Sequence, residues 1–79
     1  MKKLQAYLAH QILWIGEYVR QNRPRLGRDK TFEYLNHNYD ELSGTITGAL
    51  VVEALTEEEA DQLQDWLDDE IDDLFDAAA

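Results

Sequence analysis

Residues 56–76 hold eleven carboxylates and no Lys or Arg, and a stretch so charged can fold only by burying one narrow stripe and leaving the rest in water. The apolar positions supply that stripe. Ala60, Leu63, Leu67, Ile71 and Leu74 recur at steps of three and four, with Trp66 and Phe75 at the edges, which is the spacing of an amphipathic helix. Thr56 followed by Glu59 marks its start as a capping box, in which the Thr hydroxyl accepts from the Glu59 amide while the Glu side chain reaches back. Leu55 before the cap and Ala60 after it make a small hydrophobic staple.

The opposite face carries Asp61, Asp65, Asp68, Asp69, Asp72, Asp73 and Asp76. Helix stability alone would not select it. Asp61/Asp65, Asp65/Asp69, Asp68/Asp72, Asp69/Asp73 and Asp72/Asp76 are like-charge pairs four residues apart, each unfavourable by roughly 0.2 to 0.5 kcal/mol. The last acids also sit where the helix dipole favours cations. A face that serves only solubility would work equally well with mixed Lys and Glu, and that reading stays open. The candidate partner-binding set is Glu58, Asp61, Asp65, Asp68, Asp69, Asp72, Asp73 and Asp76.

The rest of the chain also reads as helix. Leu4, Leu8, Ile12, Ile15 and Val19 form one stripe over residues 3–22, and Tyr7, Trp14 and Tyr18 a second beside it. So wide an arc predicts a central helix touching two others, with the aromatics in the core and Leu13 on the far side. Residues 21–29 read as a break, because Pro24 pushes Arg23 out of the helical region and Gly27 permits a left-handed turn. That break collects Arg20, Arg23, Arg25, Arg28 and Lys30, which are expected to lie near a carboxylate-rich helix end. Asp29 then serves as a cap for a helix over 30–54. Residues 45–52 are rich in β-branched side chains, yet Phe32, Leu35, Tyr39, Leu42, Ile46, Ala49 and Leu50 share one helical face. Asn36, His37 and Asn38 mark where this helix would bend or split, and Gly44 and Gly48 where a neighbouring backbone would approach. Ala77, Ala78 and Ala79 are expected to fray.

The expected architecture is therefore a single all-α domain over residues 1–79, a small three-helix bundle with helices at 3–22, 30–54 and 57–75. No cofactor, metal or catalytic site is expected. There is no cysteine, His10 and His37 stand alone, and no serine triad or phosphate-cradling glycine loop is present. Carboxylates on a regular helix splay apart, whereas calcium loops need a turn with alternate ligands. Gln5, His10, Gln11 and Glu17 interrupt the apolar N-terminal run, so neither a signal peptide nor a membrane span is expected.

Charge is unevenly placed in a chain of net charge −10. All seven bases lie in residues 2–30, which sum to +7 −2 = +5, while residues 31–79 hold fifteen acids and no base. Such acidity argues against binding nucleic acid or an anionic membrane directly, and for a basic protein surface as partner. The small size, the missing cysteine, the negative charge and the helix around Trp66-Leu67-Asp68-Asp69-Glu70 resemble the small phage-encoded anti-CRISPR and anti-restriction proteins that act as DNA mimics. The resemblance covers composition and the last twenty or so residues, and the basic cluster at Arg20 to Lys30 departs from it. It implies a non-catalytic inhibitor, working in the cytoplasm of a host bacterial cell, that docks its acidic helix on the DNA-binding face of a nucleic-acid-binding defence complex. The alternative is a structural, assembly or antitoxin-like interaction module, a homodimer among the forms it would take, whose key surface is the apolar Tyr7, Trp14 and Tyr18.

Overall fold

A computed structural model describes all residues from Met1 to Ala79 and contains two helices, α1 (Lys2–Val51) and α2 (Glu57–Ala78). The all-α class agrees with the sequence. The expected bundle of three separate helices at 3–22, 30–54 and 57–75 does not, because the Arg-rich segment that reads as a loop is helical on both sides of one non-helical residue, Gly27, within a single helical element. The reason lies in the side chains of that segment. Arg20 donates to Glu17 at 2.6 Å, Asn22 to the Tyr18 carbonyl at 2.9 Å and Arg25 to Asn22 at 3.0 Å, so two bridges, of three and four residues, lead up to Pro24 and a third spans it. A proline removes one backbone donor and strains one turn. Here the neighbouring side chains hold that turn.

What does change direction is a single residue. Gly27 has φ 80 and ψ 172, far from helical values and in a region that only glycine occupies readily. A straight helix of fifty residues would span about 75 Å, whereas the whole molecule measures 41 × 18 × 16 Å. α1 is therefore folded on itself at Gly27 into two arms, 2–26 and 28–51. Tyr18 stacked on Tyr34 at 4.4 Å closes them near the fold. Thr31 sits one turn past the kink, fully buried, its hydroxyl donating to the Gly27 carbonyl at 2.7 Å. Neither Asp29 as a cap nor a break at Asn38 is observed. Asn38 instead donates to the Tyr34 carbonyl one turn back at 2.8 Å, and His37 lies 3.2 Å from Glu41, so the Asn-His-Asn step stays helical.

α2 lies along both arms, and its contacts give its direction. Ser43, Tyr39 and Phe32 meet Gln64, Asp68 and Phe75 in turn, so α2 runs antiparallel to the second arm. Gly16 and Arg23 meet Leu74 and Ala78 in the same order, so it runs parallel to the first. The core between them is Leu8, Ile12, Ile15 and Val19 from one arm, Leu35, Leu42 and Ile46 from the other, and Ala60, Leu63, Leu67 and Ile71 from α2, with Leu55 beneath the turn. The glycine against which α2 packs closely is Gly16, where an added Cβ would lie 3.3 Å from the Leu74 side chain at Cδ2. Gly44 and Gly48, expected to play that part, face open space. Gly44→Ala should therefore stabilise the fold by about 0.5 to 1 kcal/mol, the ordinary helix preference of Ala over Gly with nothing to offset it. Equilibrium urea unfolding checks this as a higher midpoint with unchanged slope.

The turn between the helices is a Schellman motif without its glycine. The Ala54 amide donates to the Ala49 carbonyl at 2.8 Å and the Glu53 amide to Leu50 at 3.0 Å, while Glu53 takes the left-handed position at φ 62. Glu53→Gly is expected to raise stability by about 0.5 to 1 kcal/mol, since relief of the left-handed strain exceeds the added freedom of the unfolded chain. The urea midpoint reads this effect as well. Across the turn, Thr56 Oγ1 accepts from the Glu59 amide at 3.1 Å and Glu59 Oε1 from the Thr56 amide at 3.0 Å, the capping box read from the sequence. Leu55 and Ala60 are both buried beside it.

Candidate acidic interface

α2 sets its core stripe so that the carboxylates wind around the outside. Glu58, Asp61, Asp65, Asp69, Asp72, Asp73 and Asp76 are all exposed. The structure contains one Arg–carboxylate ion pair, Arg20 with Glu17, and one His–carboxylate contact, His37 with Glu41, and both lie within α1. No cation therefore neutralises any carboxylate of α2. The Glu57–Glu59 turn is the one place where acid and helix dipole agree, and there the Thr56 backbone amide holds the Glu59 carboxyl below the usual carboxylate range.

Asp68 differs from the other seven members of the candidate set. It is half-buried between α2 and the second arm of α1, accepting from the Tyr39 hydroxyl at 2.6 Å and from Gln64 Nε2 at 2.9 Å. Gln64 Nε2 also lies 3.1 Å from both Tyr39 Oη and Ser43 Oγ, so four side chains share one polar seam. Donation to the Asp68 carboxylate stabilises the neutral phenol and pushes the Tyr39 pKa up. Sequence reasoning placed Tyr39 on the apolar stripe and missed this seam. Gln64 and Asp68, four apart at the stripe's edge, were the available signal.

The far end of α2 shows what the basic cluster does. Arg23 Nε donates to the Ala78 carbonyl at 2.6 Å, so a cation from α1 sits at the negative end of a helix with no base in its last turn. The expectation that the cluster would approach a carboxylate-rich helix end holds for the position of Arg23, but the group it meets is a backbone carbonyl. The same contact anchors the end of α2, where Ala77 and Ala78 are helical and Ala79 lies outside the helix. α2 continues through Ala78, which is fully buried. Arg28 stacks over Phe32 at 5.2 Å from the ring centre, one turn along its own helix.

The aromatic stripe of the first arm also departs from expectation. Tyr7 is 52% exposed, Trp14 65% and Tyr18 36%, while Leu13, expected on the far side, is exposed at 64%. The arm buries its aliphatic stripe alone, because α2 and the second arm both pack on that side. Tyr18 against Tyr34 is the exception, and partial burial beside Tyr18 pushes the Tyr34 pKa up. His10 accepts from Trp14 Nε1 at 2.9 Å. No three His, Asp or Glu side chains converge in a way that would hold a metal ion, and no helix is long and apolar enough to cross a membrane. No protein-family model, curated protein or solved structure matches the chain.

Proposed function

We propose that the protein is a non-catalytic inhibitor of a bacterial nucleic-acid-binding defence complex, of the anti-CRISPR or anti-restriction kind, acting by presenting α2 to a basic DNA-binding surface. The observation that supports this reading is a row of seven exposed carboxylates on one packed helix without a single cationic partner. From Glu58 to Asp76 the row covers about 27 Å, or one charge per about 4 Å, and one strand of duplex DNA carries one per about 3.4 Å. The twenty-two residues of α2 extend about 33 Å, close to one turn of duplex.

A channel lined by Lys and Arg would release counterions to such a helix much as it does to DNA. The scaffold adds rigidity, since α2 is fixed along its length by both arms of α1 and at its end by Arg23. Asp68 contributes its charge to the field but has its carboxylate engaged by Tyr39, so the contacts fall to the other seven. Such docking needs no cofactor and would take place in the cytoplasm of the host bacterium, where such complexes work.

Competition tests the reading directly. Purified RNA-guided DNA-binding complexes and restriction enzymes, each holding a fluorescent duplex, are titrated with the protein. The expected result is stoichiometric displacement from one of them, weakened by a factor of ten or more between roughly 50 and 200 mM salt. Displacement that salt leaves unchanged would rule out charge mimicry as its basis.

A further inference from the structure

The first arm of α1 keeps an apolar face out of the core, and that face is already ordered. Trp14 is tied to His10 by its ring N–H at 2.9 Å, and Tyr18 is stacked on Tyr34. Between them runs a groove of about 480 Å³ lined by His10, Leu13, Trp14, Glu17, Tyr18 and Gln21. Preorganised aromatics lose little freedom on binding, and Trp and Tyr dominate the centres of protein interfaces. The fold does not require them there, because thirteen other buried residues make up the core.

Charge selects the occupant. Residues 4–19 contain one charged side chain, Glu17, whereas everything after residue 30 carries acids and no base. A second copy of this chain, itself at −10, would meet like charge on α2 or on the second arm, and meets almost none here. An antiparallel register centred beside His10 also pairs what charge there is. It sets Tyr7 opposite Trp14 of a second copy and brings Lys3 within one residue of Glu17, each twice by symmetry. Glu17 is free to make the exchange, since its present bond to Arg20 is an exposed pair of small energy. Arg25 of the two copies falls at opposite ends, about 44 Å apart, or some four screening lengths at 0.1 M salt.

We infer that the outer face of residues 3–18 is a self-complementary interface through which two copies pair, antiparallel, about Trp14 and Tyr7. α2 packs on the other side of this arm, so the pair displays two acidic helices facing away from each other. This pairing stands apart from the inhibitor reading, and either holds without the other.

Sedimentation velocity from micromolar to near-millimolar protein is the test. The expected result is a monomer–dimer equilibrium between 9.2 kDa and twice that mass. Trp14→Glu, at an exposed site, should keep the helical circular dichroism and raise the dissociation constant by about 30-fold or more. Lys3→Glu should weaken pairing by several-fold, and adding Glu17→Lys in the same chain should restore it. Three results would overturn the inference: a monomer throughout the range, a dimer indifferent to Trp14→Glu, or a dimer lost instead on Asp65→Lys with Asp69→Lys, which would mean head-to-tail contact through the acidic face.

Discussion

Gly27→Ala should destabilise the fold by about 2 to 3 kcal/mol, the largest single effect expected of any exposed position in the chain. Nothing lies within 4 Å of where the new Cβ would stand. The whole effect therefore comes from the backbone, held at φ 80 and ψ 172 where any residue with a Cβ is strained. Gly44→Ala is the control, because it makes the same chemical change on the same helix, also into open space, at a residue without a positive φ. The two substitutions should move the thermal midpoint in opposite directions, Gly27→Ala down by about 8 to 20 °C and Gly44→Ala up by a few degrees. If Gly27→Ala behaves like Gly44→Ala, the kink is not what folds α1 back. Small-angle scattering adds a second readout. An α1 that straightens to escape the strain would be about 75 Å long, well beyond the 41 Å of the folded molecule.

The same residue shows where sequence reasoning succeeds and where it stops. Gly27 was recognisable as a point of reversal, and α2 was legible in detail, because capping box, staple and apolar stripe are local patterns that agree with one another. The loop placed around Gly27 was wrong for a physical reason. Backbone preference alone makes Pro24 and the arginines a loop, while the bonds from Arg20, Asn22 and Arg25 to residues three and four back act through side chains. Asn38 follows the same rule, being a poor helix former that becomes tolerable once it bonds the Tyr34 carbonyl.

Long-range facts were not accessible from periodicity. That Ala78 is buried depends on Arg23, fifty-five residues away. That the close packing falls at Gly16 rather than Gly44 depends on which face of each arm meets α2. Aromatics beside aliphatics usually pack in the core, which is where periodicity places this stripe. With α2 and the second arm both on the aliphatic side, no element is left to cover Tyr7 and Trp14. The acidic face, by contrast, followed from the stripe it opposes. One residue of it, Asp68, turned out to face Tyr39 across a helix boundary that the sequence does not show.

Reversing Asp65, Asp69 and Asp73 to Lys is expected to leave the protein folded and to remove displacement of DNA from the target complex. All three are exposed and none accepts a hydrogen bond from another side chain, so no buried partner is orphaned. Within α2 the Asp61/Asp65 pair and the three-residue pairs Asp65/Asp68, Asp69/Asp72, Glu70/Asp73 and Asp73/Asp76 turn from repulsive to attractive, while the pairs among the three reversed sites stay like-charged. At a few tenths of a kcal/mol per pair, the net change is a gain of about 1 kcal/mol or more in stability. Net charge moves from −10 to −4, since each reversal adds two. Against a basic channel, however, three contacts are lost and three repulsions introduced, which should weaken binding by at least about a thousand-fold at low salt. Asp→Asn at the same three sites separates charge from shape. It keeps the side-chain volume and should give an intermediate loss, with a shallower dependence on salt because fewer counterions are released. Full displacement by the Asn variant would show that the carboxylates are not what the partner reads, and displacement by the Lys variant would remove α2 from the interface altogether.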